Sequence, residues 1–110
     1  MRSMLKTRLS TVTQNVYWLA WTGQGDPPDE FITFSTRSHD DLFGDNEPQA
    51  EQIVAYVDYF SRTDDDAKCK MIKELMHGAG FVLPPGGEVP LYEPDTGRYH
   101  LSTIWNYVGG

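Results

Sequence analysis

A few side chains in this chain of 110 residues are of types that perform catalysis, and their spacing decides what they can do. The single cysteine, Cys69, lies between Lys68 and Lys70. These lysines would lower the pKa of its thiol if their ammonium groups were close. A thiolate nucleophile also needs a partner such as His with Asp or Asn, and no such pairing can be assigned from the sequence. We therefore expect no catalytic residue.

Two acidic clusters raise the question of a metal site. His39, Asp40 and Asp41 have no second His or Cys at ligand spacing, so we interpret them as part of a solvated loop. Asp64–Asp66 lack the alternating acids, the glycine and the distal glutamate of a calcium loop. They are typical of a helix start, where the helix dipole favours carboxylates. Neither glycine-rich segment has the context of a phosphate loop. The sequence predicts no metal and no cofactor.

Composition limits the class of protein. The length fits one domain over residues 1–110. The net charge of −7 makes nucleic acid a poor partner, since binding it depends on cations that neutralise phosphates. No apolar run approaches the ~18 residues that span a bilayer, and no signal peptide is recognisable. One cysteine fits a reducing compartment. We expect a protein assembled in a cytosol, with no membrane partner and no specific nucleic-acid partner.

The charge is unevenly distributed along the chain. The first eight residues contain Arg2, Lys6 and Arg8 and no acid, whereas residues 26–66 contain twelve acids against Arg37 and Arg62. This asymmetry favours head-to-tail contact between copies or docking on a basic partner. Solubility alone is an equally open explanation.

Hydrophobic periodicity predicts the secondary structure. We expect helices over 3–13 and 64–76, and strands over 16–21, 31–35, 52–60, 81–83 (resuming at 89–92 after a Pro-Gly break) and 98–108. The fold class is therefore α+β, a single domain of order α-β-β-β-α-β-β, with a mostly antiparallel sheet and helices packed on it.

The flanking residues refine these elements. The first strand is apolar enough to be buried on both faces, and the second is antiparallel to it if the Gly23–Asp29 loop is a hairpin. The third strand carries apolar groups on both faces and should be central. Thr63 is the expected N-cap of the second helix, and Gly78 is suited to a left-handed position at its end. The segment 93–97 predicts a turn into the last strand.

Aromatic side chains are concentrated on the predicted strands: Tyr17, Trp18, Trp21, Tyr56, Tyr59, Phe60, Tyr99, Trp105 and Tyr107. One helix covers only one face of a sheet. Aromatics on the other face must meet solvent, the first helix or another copy, and Trp and Tyr are enriched where subunits meet. An ordinary two-layer core closed by both helices is the alternative.

The polar and acidic stretch 37–51 is long for a loop in a small domain, and such loops are usually functional or mobile. We expect it to be an arm that contacts a neighbouring subunit or partner. Its apolar pair would anchor the arm and its acids would set specificity, which gives the candidate interface residues Asp40, Asp41, Leu42, Phe43, Asp45 and Glu47.

The order of these elements, with the residues on them, resembles the tail-completion proteins of long-tailed bacteriophages, also called tail terminators. The matching pieces are Met4-Leu5…Leu9, Val16-Tyr17-Trp18, Phe31-Ile32-Thr33-Phe34, the strand from Ile53 to Phe60, the helix with Ile72 and Leu75 before Gly80-Phe81, and the hairpin from Tyr92 to His100. The loops at 23–29 and 84–87 are less typical of the family.

This resemblance implies a function without an active site. It implies an α+β subunit of a ring, usually a hexamer, that sits on the last disc of the tail tube, stops its growth and joins the head connector. The implied partners are other copies, the major tail-tube protein and the connector, at the head-proximal end of the virion tail. The alternatives are a small acidic inhibitor that mimics DNA and blocks a host nucleic-acid enzyme and, less favoured, a small enzyme.

Overall fold

The computed structural model describes residues 1–38 and 53–109, which form two helices and one six-stranded sheet. The elements are α1 (Arg2–Leu9), β1 (Val16–Trp18), β2 (Glu30–Ser38), β3 (Ile53–Ser61), α2 (Asp66–Gly78), β4 (Phe81–Val82), β5 (Glu88–Glu93) and β6 (Arg98–Tyr107). The α+β class is thereby confirmed in outline, but the predicted order lacked one strand.

The strand missing from the predicted order results from a break in one edge of the sheet. The strand order is β1-β2-β3-β6-β4, and β5 also pairs with β6. Phe81 pairs with Tyr107 and Glu88 pairs with Thr103, so β4 and β5 follow one another along the same side of β6. The expectation that the chain resumes pairing after its Pro-Gly segment was right, although the two pieces are separate strands.

The pairing of β1 with β2 is parallel, so the hairpin expected between them was wrong. Val16 pairs with Ile32 and Trp18 with Phe34 in the same direction. The chain therefore runs back along the sheet between the strands, and residues 19–29 provide the dozen or so residues that a parallel connection needs. β1 is also shorter than predicted and only partly buried, because it lies at the end of the sheet.

Both helices pack on the same face of the sheet. Leu5 and Leu9 of α1 and Ile72 and Met76 of α2 join one cluster of buried residues with alternate positions of β2, β3 and β6. Trp105 is fully buried at its centre. Burying an apolar side chain of this kind contributes ~1.5–3 kcal/mol, which holds helices too short to be stable alone. The predicted central place of β3 is confirmed.

The start of α2 differs from its prediction by two residues. Asp65, not Thr63, is the N-cap, and its carboxylate accepts a hydrogen bond from the Lys68 backbone N–H at 3.1 Å. Only Asp66 of the acidic run lies in the first turn. At the other end Gly78 is still helical, and Gly80 takes the left-handed conformation with φ +96°. A run of three aspartates offers three competing caps, so sequence alone does not choose among them.

The opposite face of the sheet carries no helix within the described residues, and we call it the open face. The connection 19–29 covers one end of it: the guanidinium of buried Arg98 donates to the carbonyl oxygens of Pro27 at 3.1 Å and Pro28 at 3.4 Å. Phe31, on the same face, is buried beneath this end. No helix in the described part of the chain is both long and apolar enough to cross a membrane.

Candidate interaction surfaces

The predicted arm, residues 37–51, begins inside β2, which contains Arg37 and Ser38, and the rest of the arm lies outside the described residues. Asp40, Asp41, Leu42, Phe43, Asp45 and Glu47 all lie outside the described residues. The surfaces that can be described are two edges of the sheet, a groove and the open face.

Exposed apolar side chains are concentrated at one edge of the sheet. Of the ten large hydrophobic residues that are exposed in the described part, six lie on β4, β5 and β6: Val82, Val89, Leu91, Tyr92, Tyr99 and Ile104. Leu91 and Tyr92 are about half exposed, at 48% and 55%. Clusters of exposed apolar groups on one surface mark sites of contact with other molecules more often than scattered ones do.

A groove of about 400 Å³ opens beside this edge, between the start of α2 and the β5–β6 hairpin. Pro90, Leu101 and Cys69 form its apolar wall, and Tyr99 stands at its rim with its ring centroid 5.0 Å from that of Tyr92. The groove is also lined by four carboxylates, Asp64, Asp65, Asp66 and Glu88, and by two ammonium groups, Lys70 and Lys73. Its net charge is therefore negative.

Cys69 lies in this groove as an unactivated thiol. Burial raises the pKa of Cys69 above its usual value, and the nearby Asp66 carboxylate raises it further, whereas Lys73 acts weakly in the other direction. Lys68 turns away to an ion pair with Glu30. The condition under which the neighbouring lysines would lower this pKa is not met, because burial and the acids at the start of α2 outweigh the effect of Lys73.

A polar network on the helix-covered face fixes α2 to the sheet. The Lys68 Nζ donates to both oxygens of Glu30, at 2.7 and 2.6 Å, and the Tyr59 hydroxyl donates to the same carboxylate. Burial pushes the Glu30 pKa upward, but these hydrogen bonds outweigh it and leave the pKa below its usual value of 4.5. Burial and the Glu30 carboxylate both raise the pKa of Tyr59. The network supports the walls of the groove rather than reacting in it.

A row of rings crosses the open face. Phe31 stacks on Phe60 with centroids 4.5 Å apart, and Phe60 stacks on His100 at 4.1 Å. The His100 Nε2 lies 2.9 Å from an Asp58 carboxylate oxygen, and its Nδ1 lies 3.5 Å from a Glu93 oxygen. Both ring nitrogens therefore face carboxylates. This arrangement ties β3, β5 and β6 together.

Two comparisons with known proteins found no match. The chain matches no family model, and no curated protein sequence is significantly similar to it. Among the described residues, no three His, Cys, Asp or Glu side chains are grouped so that they could hold a metal ion. The described surfaces are therefore the features from which a function can be inferred.

Both end strands of the sheet are poorly suited to pairing with another strand. In β1 the Val16 N–H donates to the Gln14 carbonyl at 3.2 Å, and the Trp18 carbonyl accepts from the Ala20 N–H at 2.9 Å. These are the groups that do not face β2. In β5, Pro90 occupies a central position and has no N–H to offer. Short strands and edge prolines are the usual means of preventing sheet extension.

The edge formed by β1 and α1 is basic. Arg2, Lys6 and Arg8 are all exposed, and the chain contains no acid before Asp26. The Arg2 guanidinium lies 4.2 Å from the centroid of the Trp18 ring, which holds it at this edge. Next to it, Leu19 is 65% exposed and has a φ of +72°, a conformation that costs a branched side chain about 1–2 kcal/mol. An apolar side chain held in solvent at such a cost is suited to contact with another molecule.

Sequence reasoning missed the groove, the apolar edge and the exposed Leu19. The signal for the edge was present in the alternation Val89-Pro90-Leu91-Tyr92, since a proline in a strand indicates an edge. The groove had no local signal, because it forms between two segments, 59–73 and 88–101, that are separate in the chain.

Proposed function

We propose that this chain is a structural subunit of a bacteriophage virion, of the tail-completion kind. In this proposal, copies form a ring, most simply a hexamer, on the last disc of the tail tube. The ring stops tube growth and presents a surface to the head connector. The protein resides at the head-proximal end of the tail after assembly in the host cytoplasm. It performs no catalysis, and its function depends on the shape and charge of its surfaces.

The concentration of exposed apolar residues at one edge of the sheet is the observation that carries the proposal. A small domain that exposes Leu91, Tyr92 and Tyr99 together, next to a groove, has a surface adapted to protein contacts. An assembly subunit needs such a surface. A second, exposed apolar site at Leu19 provides another contact region on the far side of the sheet.

The resemblance of the sequence supports the same proposal through the β5–β6 hairpin. The last of the matching pieces, from Tyr92 to His100, forms paired strands joined by a turn in which the Gly97 N–H donates to the Glu93 carbonyl at 2.8 Å. In a tail-completion ring the partners would be other copies, the tail-tube protein and the connector. The two ends of the ring would then meet different proteins.

The test is a capping experiment with purified protein. The tail-tube protein encoded by the same genome is allowed to polymerise with and without this chain, and tube lengths are measured by electron microscopy. We expect rings at tube ends and a clear arrest of elongation at a ratio of a few copies per tube. An unrelated acidic protein of similar size is the control. Tubes that elongate normally and carry no rings would contradict the proposal, as would a genome that encodes no tail-tube protein.

The alternative of a DNA-mimicking inhibitor has less support. Such a mimic needs free carboxylates in regular rows, but several acids of the described part are engaged by cations: Asp29 by Arg62, Glu30 by Lys68 and Glu88 by Lys73. Asp58 and Glu93 both face His100. Tight binding to a purified nuclease or polymerase would favour this alternative over the ring.

A further inference from the structure

The two contact regions lie at opposite ends of the sheet. β1 is the first strand in the sheet order, whereas β4 and β5 lie on the far side of β6. We call the first region the basic edge, defined by Arg2, Lys6, Trp18 and Leu19. We call the second the acidic edge, defined by Asp64, Asp66, Leu91, Tyr92 and Tyr99. A single copy cannot bring them together, because β2, β3 and β6 lie between them.

The two edges are complementary in charge. On the basic edge, the Lys6 ammonium has no ion-pair partner among the described residues, and no acid precedes Asp26 in the chain. On the acidic edge, Asp64 and Asp66 likewise have no ion pair within the described part, and the groove that they line is net negative. Exposed cations on one surface and exposed carboxylates on another favour contact between them.

The edges also match in their apolar content. Leu19 on the basic edge is 65% exposed, and the groove at the acidic edge offers an apolar wall with two exposed tyrosines at its rim. Tyrosines beside a pocket are the residue type that most often contributes strongly to protein contacts. A contact that combines a central apolar anchor with peripheral charges has the usual anatomy of a protein interface.

We propose that the basic edge of one copy docks in the groove at the acidic edge of the next. Leu19 and the exposed side of α1 enter the groove, while Lys6 and Arg2 face Asp64 and Asp66. The contact joins two different surfaces, so each copy keeps one free surface for a further copy, and repeated contacts close into a ring or continue as a filament. This inference rests on the proposed function and names the subunit contact that it requires.

The contact is made by side chains rather than by strand addition. Two of the outward backbone groups of β1, the Val16 N–H and the Trp18 carbonyl, are already bonded locally, and Pro90 interrupts the outward donors of β5. A continuous sheet across two copies is therefore unfavourable. Neighbouring copies can thus change their relative angle without breaking a row of backbone hydrogen bonds.

Thiol cross-linking tests the contact directly. In a Cys69→Ser background, Ser3→Cys places one thiol on exposed α1 and Thr63→Cys places another at the groove, where Thr63 is exposed. A short bis-maleimide then links neighbouring copies, in concentrated solution and on tubes of the tail-tube protein. A chain with one cysteine can yield only dimers. We expect the variant with Ser3→Cys and Thr63→Cys to yield a ladder of trimers and larger species. The matched control combines Ser3→Cys with Asn106→Cys, which lies on the open face, and should yield no species larger than a dimer.

Two further variants test whether the cross-linked ladder depends on the proposed contact or on non-specific association. Lys6→Glu should abolish the species larger than dimers, and adding Asp64→Lys and Asp66→Lys to the same chain should restore them. A ladder that is absent in both settings, that is equal for the Asn106→Cys pair, or that is unaffected by Lys6→Glu would overturn the proposed contact.

If capping rings form while the ladder is absent, the contact is wrong and the proposed function stands. If a ladder forms but tubes are never capped, the proposed function fails and the contact stands.

Discussion

At the scale of single residues, the polar groups of this protein are used mainly to fix its elements to one another. Trp105 shows this most simply: its indole N–H donates to the Thr103 hydroxyl at 2.8 Å, and that hydroxyl donates to the Val57 carbonyl at 2.6 Å. All three groups belong to the central strands. A fully buried N–H without such a partner would cost ~1–3 kcal/mol.

The ionic network of Glu30 predicts a defined pH dependence of stability. The folded state holds the Glu30 pKa below its usual value, so its stabilising effect is present at neutral pH and is lost as the pH falls through the folded pKa. We expect Glu30→Gln to lower the free energy of unfolding at pH 7. The difference from the wild type should shrink as the pH falls below about 4.5, the usual glutamate value. Urea unfolding at a series of pH values measures this.

The control for this prediction is Asp95→Asn, which removes one exposed carboxylate at the β5–β6 turn. It corrects for the general effect of one less negative charge on an acidic protein. A difference between wild type and Glu30→Gln that stays constant from pH 7 to pH 3 would show that the Glu30 charge contributes no specific stability.

At the scale of elements, the break between β4 and β5 is sensitive to substitution. Gly87 pairs with β6 where the Ile104 N–H donates to its carbonyl at 2.8 Å, and a Cβ at Gly87 would lie 2.8 Å from the Ile104 carbonyl oxygen. Neither backbone can move without disturbing the sheet. The adjacent Gly86 has a φ of +77° and open space around it.

These two glycines give a matched comparison. We expect Gly87→Ala to lower the free energy of unfolding by about 2–3 kcal/mol, in the range of overpacked sites. Gly86→Ala should cost only about 1 kcal/mol, because its strain is confined to the backbone conformation. Thermal or urea unfolding of both variants measures the difference. A greater loss for Gly86→Ala would show that backbone strain, not crowding against Ile104, governs this break.

The elements that were predicted correctly are those with strong local patterns. The apolar stripe of α2, the alternation of β3 and the turn at 93–97 each depend on residues close together in the sequence, and each was found within two residues of its expected place. The parallel pairing of β1 was not predictable in this way. It depends on contacts such as Arg98 with Pro27, 71 residues apart, and Asn15 with the Glu30 carbonyl at 3.0 Å.

The same distinction applies to the candidate site. The arm at 37–51 was inferred from local composition, and its role stays a prediction. The acidic and basic edges depend on which strands occupy the ends of the sheet. The charge asymmetry along the chain was visible in the sequence, but the fold is what turns it into an asymmetry across the molecule, with β1 and β5 on opposite sides.

At the scale of the whole molecule, a charge of −7 opposes association between identical copies. Docking of the basic edge on the acidic edge replaces this repulsion with a local attraction. We expect the cross-linked ladder to fall several-fold between 0.05 and 0.5 M salt, since the Debye length shortens from more than ~10 Å to a few Å over this range. Quantified gel bands at constant protein concentration measure it.

The apolar part of the contact gives the control for the salt series. Leu91→Ala should reduce the ladder at every salt concentration and leave the relative salt dependence unchanged, because it removes contact area and no charge. If the ladder instead becomes stronger with salt, apolar contacts dominate the association of copies. The main effect of charge would then be the repulsion between acidic copies, which salt screens.

Because β1 and β5 are poorly suited to pairing with another strand, separate copies of the chain are also less prone to aggregate. A protein that must accumulate before it is used spends that time at high concentration, where bare strand edges would let copies stack irreversibly into cross-β fibres. Pro90 and the local bonds of the Val16 N–H and the Trp18 carbonyl hinder that route. If the chain is the assembly subunit that we propose, encounters between copies before assembly would then be reversible, and errors in partner choice could be corrected before assembly is complete.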